Sequence, residues 1–195
     1  TCTNSGDSTS WTRSNRVIYK GCSDSHSGCS TSNTSQTFSS TTTNATIAAY
    51  TIKDKAGNSR TCPARTAKVY VDKGTPTCSW KGTSSSWAYS RTVSVTCGST
   101  ASGCDPSASS NSWSYSTTTQ TANLSYVIKN RAGTTATCRY NNAPIYVDRT
   151  APTCSSSGDS TTWTRSNRTI YKGCSDSHSG CSTGTTSHTF SSNAK

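Results

Sequence analysis

Hydrophobic and polar side chains alternate along several short stretches of the chain. Residues 15–22 (NRVIYKGC), 46–53 (TIAAYTIK) and 67–71 (AKVYV) carry β-branched and aromatic residues in this alternation. Three later stretches repeat the pattern: 91–97 (RTVSVTC), 123–129 (NLSYVIK) and 144–148 (PIYVD). A period of two residues is typical of strands with one buried face. The pattern therefore predicts a series of short β-strands.

Turn signals separate these predicted strands. The segment DKAGN at 54–58 reads as a hairpin turn in which Gly57 supplies a positive φ. No stretch keeps a 3.6-residue apolar period over three turns, so no helix is predicted. Short strands with frequent turns in units of about 75 residues predict an all-β chain of small β-sandwich modules.

The chain repeats itself. Cysteines and tryptophans recur with a spacing of 76 residues. The matching positions are Cys2, Cys78 and Cys154, together with Trp11, Trp87 and Trp163. This period predicts three domains, 1–76, 77–152 and 153–195, which we call the first, second and third repeats. The third repeat is truncated, so we expect a longer array of repeats in the complete protein.

The amino-acid composition indicates how such modules are held together. Only 29% of the residues are hydrophobic and there is no Met, which is too little apolar material for one large core. Eleven cysteines indicate that disulfides replace the missing core, as in proteins of oxidising compartments. No signal peptide or membrane-spanning stretch is apparent, and we expect an extracellular or cell-surface segment excised from a longer chain.

The order of motifs resembles a known family. W-T-x-x-N-R is followed by C-S-D-S-x-S-G-C, then by Y-T-I-K-D-K-A-G-N, then by V-Y-V-D-K-x-x-P-T-C. This order resembles the tandem immunoglobulin-like repeats of bacterial surface proteins. The resemblance implies a stalk, adhesin or fibre in which each module is joined to the next by the D-K-x-x-P segment.

The segment CSDSHSGC is the densest cluster of reactive residue types. It occupies 22–29 and recurs unchanged at 174–181, whereas the second repeat has CGSTASGC at 97–104. There the aspartate is replaced by Ser99 and the histidine by Ala101, but both cysteines and the Ser-Gly pair remain. The feature common to all three copies is thus a pair of cysteines.

A hydrolytic or metal-binding role for this segment is disfavoured. Nucleophile, base and orienting acid rarely align within one tight turn, and the second repeat lacks the base. A zinc site would need four ligands with closer cysteine spacing. We expect Asp24 and Asp176 to accept turn N–H groups, and His26 and His178 to face solvent.

A disulfide across each segment is the preferred alternative. The predicted short bridges are Cys22 to Cys29, Cys97 to Cys104 and Cys174 to Cys181. By the chain-entropy argument, each short loop contributes about 2 to 3 kcal/mol.

A second bridge in each repeat is less firmly specified. Four cysteines allow three pairings, and sequence does not choose among them. The neighbouring first and last strands of a sandwich favour Cys2 with Cys62 and Cys78 with Cys138, closing loops worth about 4 kcal/mol each. The partner of Cys154 would then fall beyond Lys195.

Other residues offer further candidate sites. Trp11, Trp87 and Trp163 are expected to be apolar anchors of their modules, and Trp80 an exposed contact. We expect no cofactor. Calcium at the inter-repeat junctions, with Asp54, Asp72 and Asp148 as ligands, stays an alternative. N-x-S/T sequons at Asn33, Asn44, Asn123 and Asn167 offer glycosylation sites.

The overall charge and the scarcity of catalytic residue types limit the function. The formal net charge is +11, but the basic residues are scattered along the chain, so no nucleic acid and no membrane is predicted as a partner. There is no Glu and only three His, and we expect no enzymatic activity. The sequence favours a structural stalk or filament, whose partners are neighbouring repeats, other chains of a fibre, and glycans. The alternative is an adhesin-type module that recognises a glycan or a host protein.

Overall fold

A computed structural model describes residues 1–98 and 100–191, and these residues form an all-β structure. In the first repeat the strands are β1 (Cys2–Ser5), β2 (Ser8–Thr12), β3 (Arg16–Cys22), β4 (Thr34–Phe38), β5 (Thr42–Ile47), β6 (Tyr50–Lys53), β7 (Ser59–Cys62) and β8 (Arg65–Val71). In the second they are β9 (Thr77–Lys81), β10 (Arg91–Gly98), β11 (Ser110–Tyr115), β12 (Thr119–Lys129) and β13 (Thr135–Val147). The third contains β14 (Thr153–Ser157), β15 (Arg168–Ser175) and β16 (Thr186–Phe190). A single 3-10 turn, Pro106–Ala108, is the exception among the described residues.

The strands of the first repeat form three sheets. Their orders are β1-β3-β4, β2-β8-β5 and β6-β7. Strand β2 runs parallel to β8, whereas β5 pairs with β8 in the antiparallel sense. The chain therefore passes from the first sheet to the second between β1 and β2, and returns to the first at β3.

One apolar cluster lies between the first two of these sheets. Ile18 of β3 packs with Ile47 of β5 and with Val69 and Val71 of β8, and all four are buried. Phe38 of β4 packs against the same cluster. The alternation that predicted the strands thus directs these side chains to one shared interior.

The later strands follow a related plan. The second repeat contains the sheet β11-β10-β9 and the pair β12-β13. Its buried apolar residues are Val93, Val95, Leu124, Ile128, Ala132, Cys138, Ala143, Ile145 and Val147. In the third repeat, β14-β15-β16 is a three-stranded sheet that matches β1-β3-β4. In the strand register, Cys154 of β14 lies opposite Cys174 of β15, as Cys2 of β1 lies opposite Cys22 of β3.

One predicted strand is divided in two. The expectation of a single strand over 46–53 is wrong, because β5 ends at Ile47 and β6 begins at Tyr50. The interruption occurs where the chain changes partner, since β5 pairs with β8 and β6 pairs with β7. The hairpin turn at 54–58 is present, and Gly57 has a φ of 92°.

The chain is divided into two compact units. One comprises Thr1–Lys81, Ser94–Ser112 and Leu124–Tyr140; the other comprises Gly82–Val93, Trp113–Asn123 and the described residues from Asn141 onward. The second repeat contributes to both units, and the domain boundaries at 76 and 152 remain a prediction. None of the described elements is a helix long and apolar enough to cross a membrane.

Candidate functional site at the repeat junctions

The first junction begins where β8 ends. The backbone N–H of Asp72 donates to the carbonyl of Thr12 at 3.0 Å, which extends the parallel pairing of β2 and β8 by one residue. Asp72 itself is fully buried. A buried carboxylate is stable only when its oxygens are hydrogen-bonded, so its partners determine what this residue does.

The carboxylate of Asp72 is bound by groups on both sides of the predicted domain boundary. One oxygen accepts the N–H of Gly74 at 2.8 Å. The other accepts the N–H of Ser102 at 2.8 Å and the hydroxyl of Thr100 at 2.5 Å. The side-chain amide of Asn130 lies 3.4 Å from that second oxygen. We refer to these five residues as the first junction.

The same arrangement recurs one repeat later. The N–H of Asp148 donates to the carbonyl of Ala88 at 3.0 Å, in the position of the Asp72 to Thr12 bond. One carboxylate oxygen of Asp148 accepts the N–H of Thr150 at 2.8 Å, and the other accepts the N–H of Ser179 at 2.9 Å. Thr150 and Ser179 are the repeat equivalents of Gly74 and Ser102. Asp148, Thr150 and Ser179 form the second junction.

The disulfide-closed loop presents the amide that each aspartate binds. In the third repeat, one oxygen of Asp176 accepts the N–H groups of His178 and Gly180, both at 2.9 Å. The N–H of Ser179, between them, is directed to Asp148. In the first repeat Asp24 binds the corresponding two amides at 3.0 Å, in the turn role predicted for it. Asp176 therefore binds the amides on either side of Ser179, and the amide of Ser179 binds the preceding repeat.

The junctions are distinguished by buried polar and charged side chains. The buried polar or charged residues of the described chain are Asp72, Ser102, Asn130 and Asp148, and all four belong to a junction. Burial acts to raise the pKa of the Asp72 carboxyl, but its hydrogen bonds outweigh burial and hold the pKa below the ordinary value. Hydrogen bonds from Ser179 and Thr150 lower the pKa of Asp148 strongly. Both aspartates are therefore anionic at neutral pH.

An amide replaces a carboxylate at one position of the first junction. Asn130 occupies the same turn position as Asp54, and its side-chain oxygen accepts the N–H of Thr134 at 2.8 Å, as Asp54 accepts that of Asn58. Its side-chain nitrogen donates to the carbonyl of Gly74 at 3.0 Å. A carboxylate there would place a second negative charge beside Asp72. The amide instead supplies a donor.

Five disulfides close the loops of the three repeats. They join Cys2 to Cys62, Cys22 to Cys29, Cys78 to Cys138, Cys97 to Cys104 and Cys174 to Cys181. These are the pairs that the sequence favours. Cys154 is free and exposed. Five disulfides are typical of a secreted or extracellular protein.

The serine, histidine and aspartate of the loop are not arranged for hydrolysis. The hydroxyl of Ser25 lies 3.0 Å from Nδ1 of His26. Asp24, however, binds the backbone N–H of His26, not its ring, so no carboxylate orients the imidazole. His26 and His178 are exposed, and the ring of His178 also meets that of Trp87, with centroids 6.1 Å apart.

The tryptophans do not all have the predicted role. Trp11 packs edge-on against Tyr70 and Trp87 against Tyr146, with ring centroids 5.0 Å apart in each case. Trp163 is 84% exposed, so its expected role as a core anchor is wrong in this structure. Trp80 is half-buried and meets Tyr140 at 5.8 Å.

The remaining candidate sites are placed as follows. Asn33, Asn44, Asn123 and Asn167 are exposed, and the side-chain oxygen of Asn123 accepts the N–H of Asn142 at 2.8 Å. Within the described residues, no three or more His, Cys, Asp or Glu side chains are grouped to hold a metal. The aspartates named for the alternative of a calcium site are placed differently: Asp72 and Asp148 accept hydrogen bonds from protein donors, and Asp54 binds Asn58. Position 99 lies outside the described residues.

A basic residue of each linker binds back to its own repeat. The ammonium of Lys73 donates to the carbonyl of Arg13 at 2.5 Å and to the side-chain oxygen of Asn15 at 3.0 Å. Its equivalent, Arg149, lies 3.4 Å from the ring centroid of Tyr89. Each linker is thus held on one side by its basic residue and on the other by the junction aspartate.

Sequence reasoning missed the amide partners of the junctions. Ser102 and Ser179 belong to the Ser-Gly pair that is present in every copy of the loop. The aspartate that ends V-Y-V-D is also present at both repeat boundaries. The aspartate repeated at both boundaries was the available signal, because the amides of Ser102 and Ser179 are backbone groups that residue type does not reveal.

Comparison with known proteins finds no match for this chain among protein-family models, curated proteins or solved structures. The resemblance to immunoglobulin-like repeats therefore stays an interpretation of the sequence.

Proposed function

We propose that the chain is a structural, non-catalytic part of an extracellular stalk or filament on a cell surface. We also infer that its sequence repeats are immunoglobulin-like β-sandwich modules arranged in tandem. One observation carries the proposal: a carboxylate at the end of one repeat binds the same backbone amide of the next repeat at both junctions, at 2.8 and 2.9 Å.

The chemistry of this contact suits a load-transmitting connection. The donor is a backbone N–H held in a disulfide-closed loop, and the acceptor follows directly after a core strand. Charge-assisted bonds of this kind are stronger than neutral ones and have a defined geometry. Such a contact restricts the angle between neighbouring modules, which is the property that a stalk requires and that a flexible tether lacks.

The apolar cluster of the first repeat supports the module interpretation. It is shared by two sheets, and the Cys2–Cys62 bond joins the first strand to β7. Glycosylation at the four exposed sequons and assembly of several chains into a fibre belong to the same proposal.

Backbone ¹⁵N relaxation of the chain tests the proposal. We expect the repeats to tumble with one correlation time in the native chain, and to separate into shorter times in the double variant Asp72→Ala, Asp148→Ala. The variant Asp159→Ala is the matched control, since Asp159 is exposed and has no hydrogen bond or ion pair within the described residues. Independent tumbling of the repeats in the native chain would contradict a stalk. Specific binding in a glycan array would favour the adhesin-type alternative.

A further inference from the structure

Strand β4 of the first repeat is an uncovered edge of its sheet. In the order β1-β3-β4 it pairs on one side with β3, with Arg16 opposite Phe38 and Lys20 opposite Thr34 at the two ends. None of the described residues pairs with its other side. The backbone N–H and C=O groups of Thr34–Phe38 that point away from β3 therefore lack a protein partner, and they can bind a further strand.

This edge has none of the features that usually protect an edge strand. Native sheets prevent edge pairing with charged side chains, with proline or with a bulge. The sequence of β4 is TSQTF, without charge or proline, and its pairing with β3 is regular along its whole length. Ser35 and Thr37 are exposed, whereas Gln36 and Phe38 are partly buried. An approaching strand therefore meets no charge, no bulge and no missing N–H.

The absence of charge extends well beyond the strand itself. Residues 30–52 contain no Lys, Arg, Asp or Glu, in a chain whose formal net charge is +11. Residues 106–128 of the second repeat, which include the edge strand β11, are uncharged as well. Two copies of so basic a chain repel each other through their charged surfaces. An acidic partner would gain nothing at the β4 edge, whereas a second copy of the chain avoids repulsion there.

The sequence of β4 suits antiparallel pairing with itself. When Gln36 lies opposite Gln36 of a second copy, Ser35 lies opposite Thr37 and Thr34 lies opposite Phe38. Directly opposite residues point to the same face of an antiparallel sheet. This register therefore keeps the exposed hydroxyls on one face and the partly buried side chains on the other. The side-chain oxygen of Gln36 accepts no hydrogen bond within the described residues and can take one from the second copy.

We propose that β4 pairs with β4 of a second copy of the chain, in the antiparallel sense and with Gln36 on the two-fold axis. The two sheets then form one continuous sheet in the order β1-β3-β4-β4-β3-β1. Backbone hydrogen bonds supply the attraction, as in other cases of strand addition at a sheet edge. The contact is isologous, so it closes at two chains. This inference rests on the proposed filament, and it names the surface through which chains of a fibre associate.

Sedimentation equilibrium of the full chain measures the association. Every chain in the experiment carries Cys154→Ser, because the exposed thiol of Cys154 could otherwise join two copies. The chains are prepared without glycans, because the sequon at Asn33 directly precedes β4. We expect a reversible equilibrium between monomer and dimer. Amide hydrogen exchange in β4 should become slower as the chain concentration rises.

Two double variants distinguish this register from other contacts. In Ser35→Lys, Thr37→Lys the lysines of the two copies lie directly opposite each other, and the association constant should fall about tenfold. In Ser35→Lys, Thr37→Glu each lysine lies opposite a glutamate, and association should be retained. The matched control Ser85→Lys, Ser90→Lys adds two lysines at exposed positions outside the strands. It should change the association constant by less than about twofold, because salt screens charges that are distant from the contact.

Three results would overturn the proposal. One is a chain that stays monomeric at about 1 mM. Another is an equal effect of Ser35→Lys, Thr37→Lys and of its control, which would show that net charge alone governs association. The third is loss of association in Ser35→Lys, Thr37→Glu, which would exclude the antiparallel register. The tumbling of the repeats in dilute solution tests the stalk separately, so a monomeric chain with one correlation time would overturn the strand pairing and leave the stalk.

Discussion

Each junction brings a buried carboxylate together with backbone amides, and either group would be destabilising there without the other. A carboxylate that is removed from water needs donors, and backbone amides that are removed from water need acceptors. At the first junction Asp72 satisfies Gly74 and Ser102 at once, and Thr100 adds a hydroxyl. The carboxylate of Asp72 would be unstable in this buried position without these donors, and the donors would lack an acceptor without the carboxylate. The contact therefore specifies which surface of the next repeat meets the end of β8.

Removal of the Asp72 carboxylate should destabilise the first junction. In Asp72→Ala the buried N–H of Ser102 and the partly buried N–H of Gly74 lose their acceptor, and we expect a loss of about 2–4 kcal/mol in the free energy of unfolding. Denaturant unfolding followed by circular dichroism, with disulfides intact, measures it. Asp159→Ala should change stability by less than about 0.5 kcal/mol, because this exposed aspartate has no described partner. Equal effects of the two substitutions would contradict the assigned role of Asp72.

The junctions should weaken in acid. Hydrogen bonds lower the pKa of Asp72 and of Asp148 below the ordinary aspartate value. Their contribution to stability is therefore complete above the unfolded value of about 4, and is lost as the pH falls through the lower folded pKa. We expect the midpoint temperature of thermal unfolding to decrease as the pH is lowered below about 4. The decrease should be less steep in the variant Asp72→Asn, Asp148→Asn. An equally steep fall in this variant would show that other carboxyls control the acid response.

At the scale of elements, a glycine follows the first strand of each repeat, and in the first repeat the chain crosses there from one sheet to another. Gly6, Gly82 and Gly158 have φ values of 103°, 84° and 92°. A Cβ added at Gly82 would lie 2.1 Å from the carbonyl oxygen of Thr92. Both the backbone conformation and the space therefore require glycine here.

Replacement of this glycine should cost more than replacement of a turn glycine. Gly133 has a similar φ of 90°, but an added Cβ would meet no atom within 4 Å. We expect Gly133→Ala to lower stability by about 1–2 kcal/mol through backbone strain alone. Gly82→Ala adds a steric clash and should cost about 3 kcal/mol or more. Thermal unfolding of both variants measures the difference, and equal losses would mean that the chain around Thr92 yields without cost.

The strands and the short cysteine bridges were accessible from the sequence because they depend on local alternation and on copies compared with one another. The division of the predicted strand 46–53 at Ala48–Ala49 was not accessible, because it arises from a change of pairing partner that neighbouring residues do not encode. The junctions were missed for a related reason. The donor of Ser102 is a backbone N–H, and backbone groups leave no trace in residue type.

At the scale of the whole molecule, apolar burial alone is too limited to explain the structure. The described core of the first repeat rests on a few aliphatic side chains, chiefly Ile18, Ile47, Val69 and Val71. Stability must therefore come largely from the covalent bonds that close each repeat.

Reduction of the disulfides should unfold the first two repeats in native buffer. By the chain-entropy argument the seven-residue separation of Cys97 and Cys104 is worth about 2 kcal/mol, and the 60-residue separation of Cys78 and Cys138 about 4 kcal/mol. Together these approach the total stability of a small domain, about 5–15 kcal/mol. Near-ultraviolet circular dichroism with increasing reductant measures the transition, and Cys154→Ser provides a chain without a free thiol for exchange. A native spectrum that persists after complete reduction would show that packing, not covalent closure, holds these repeats together.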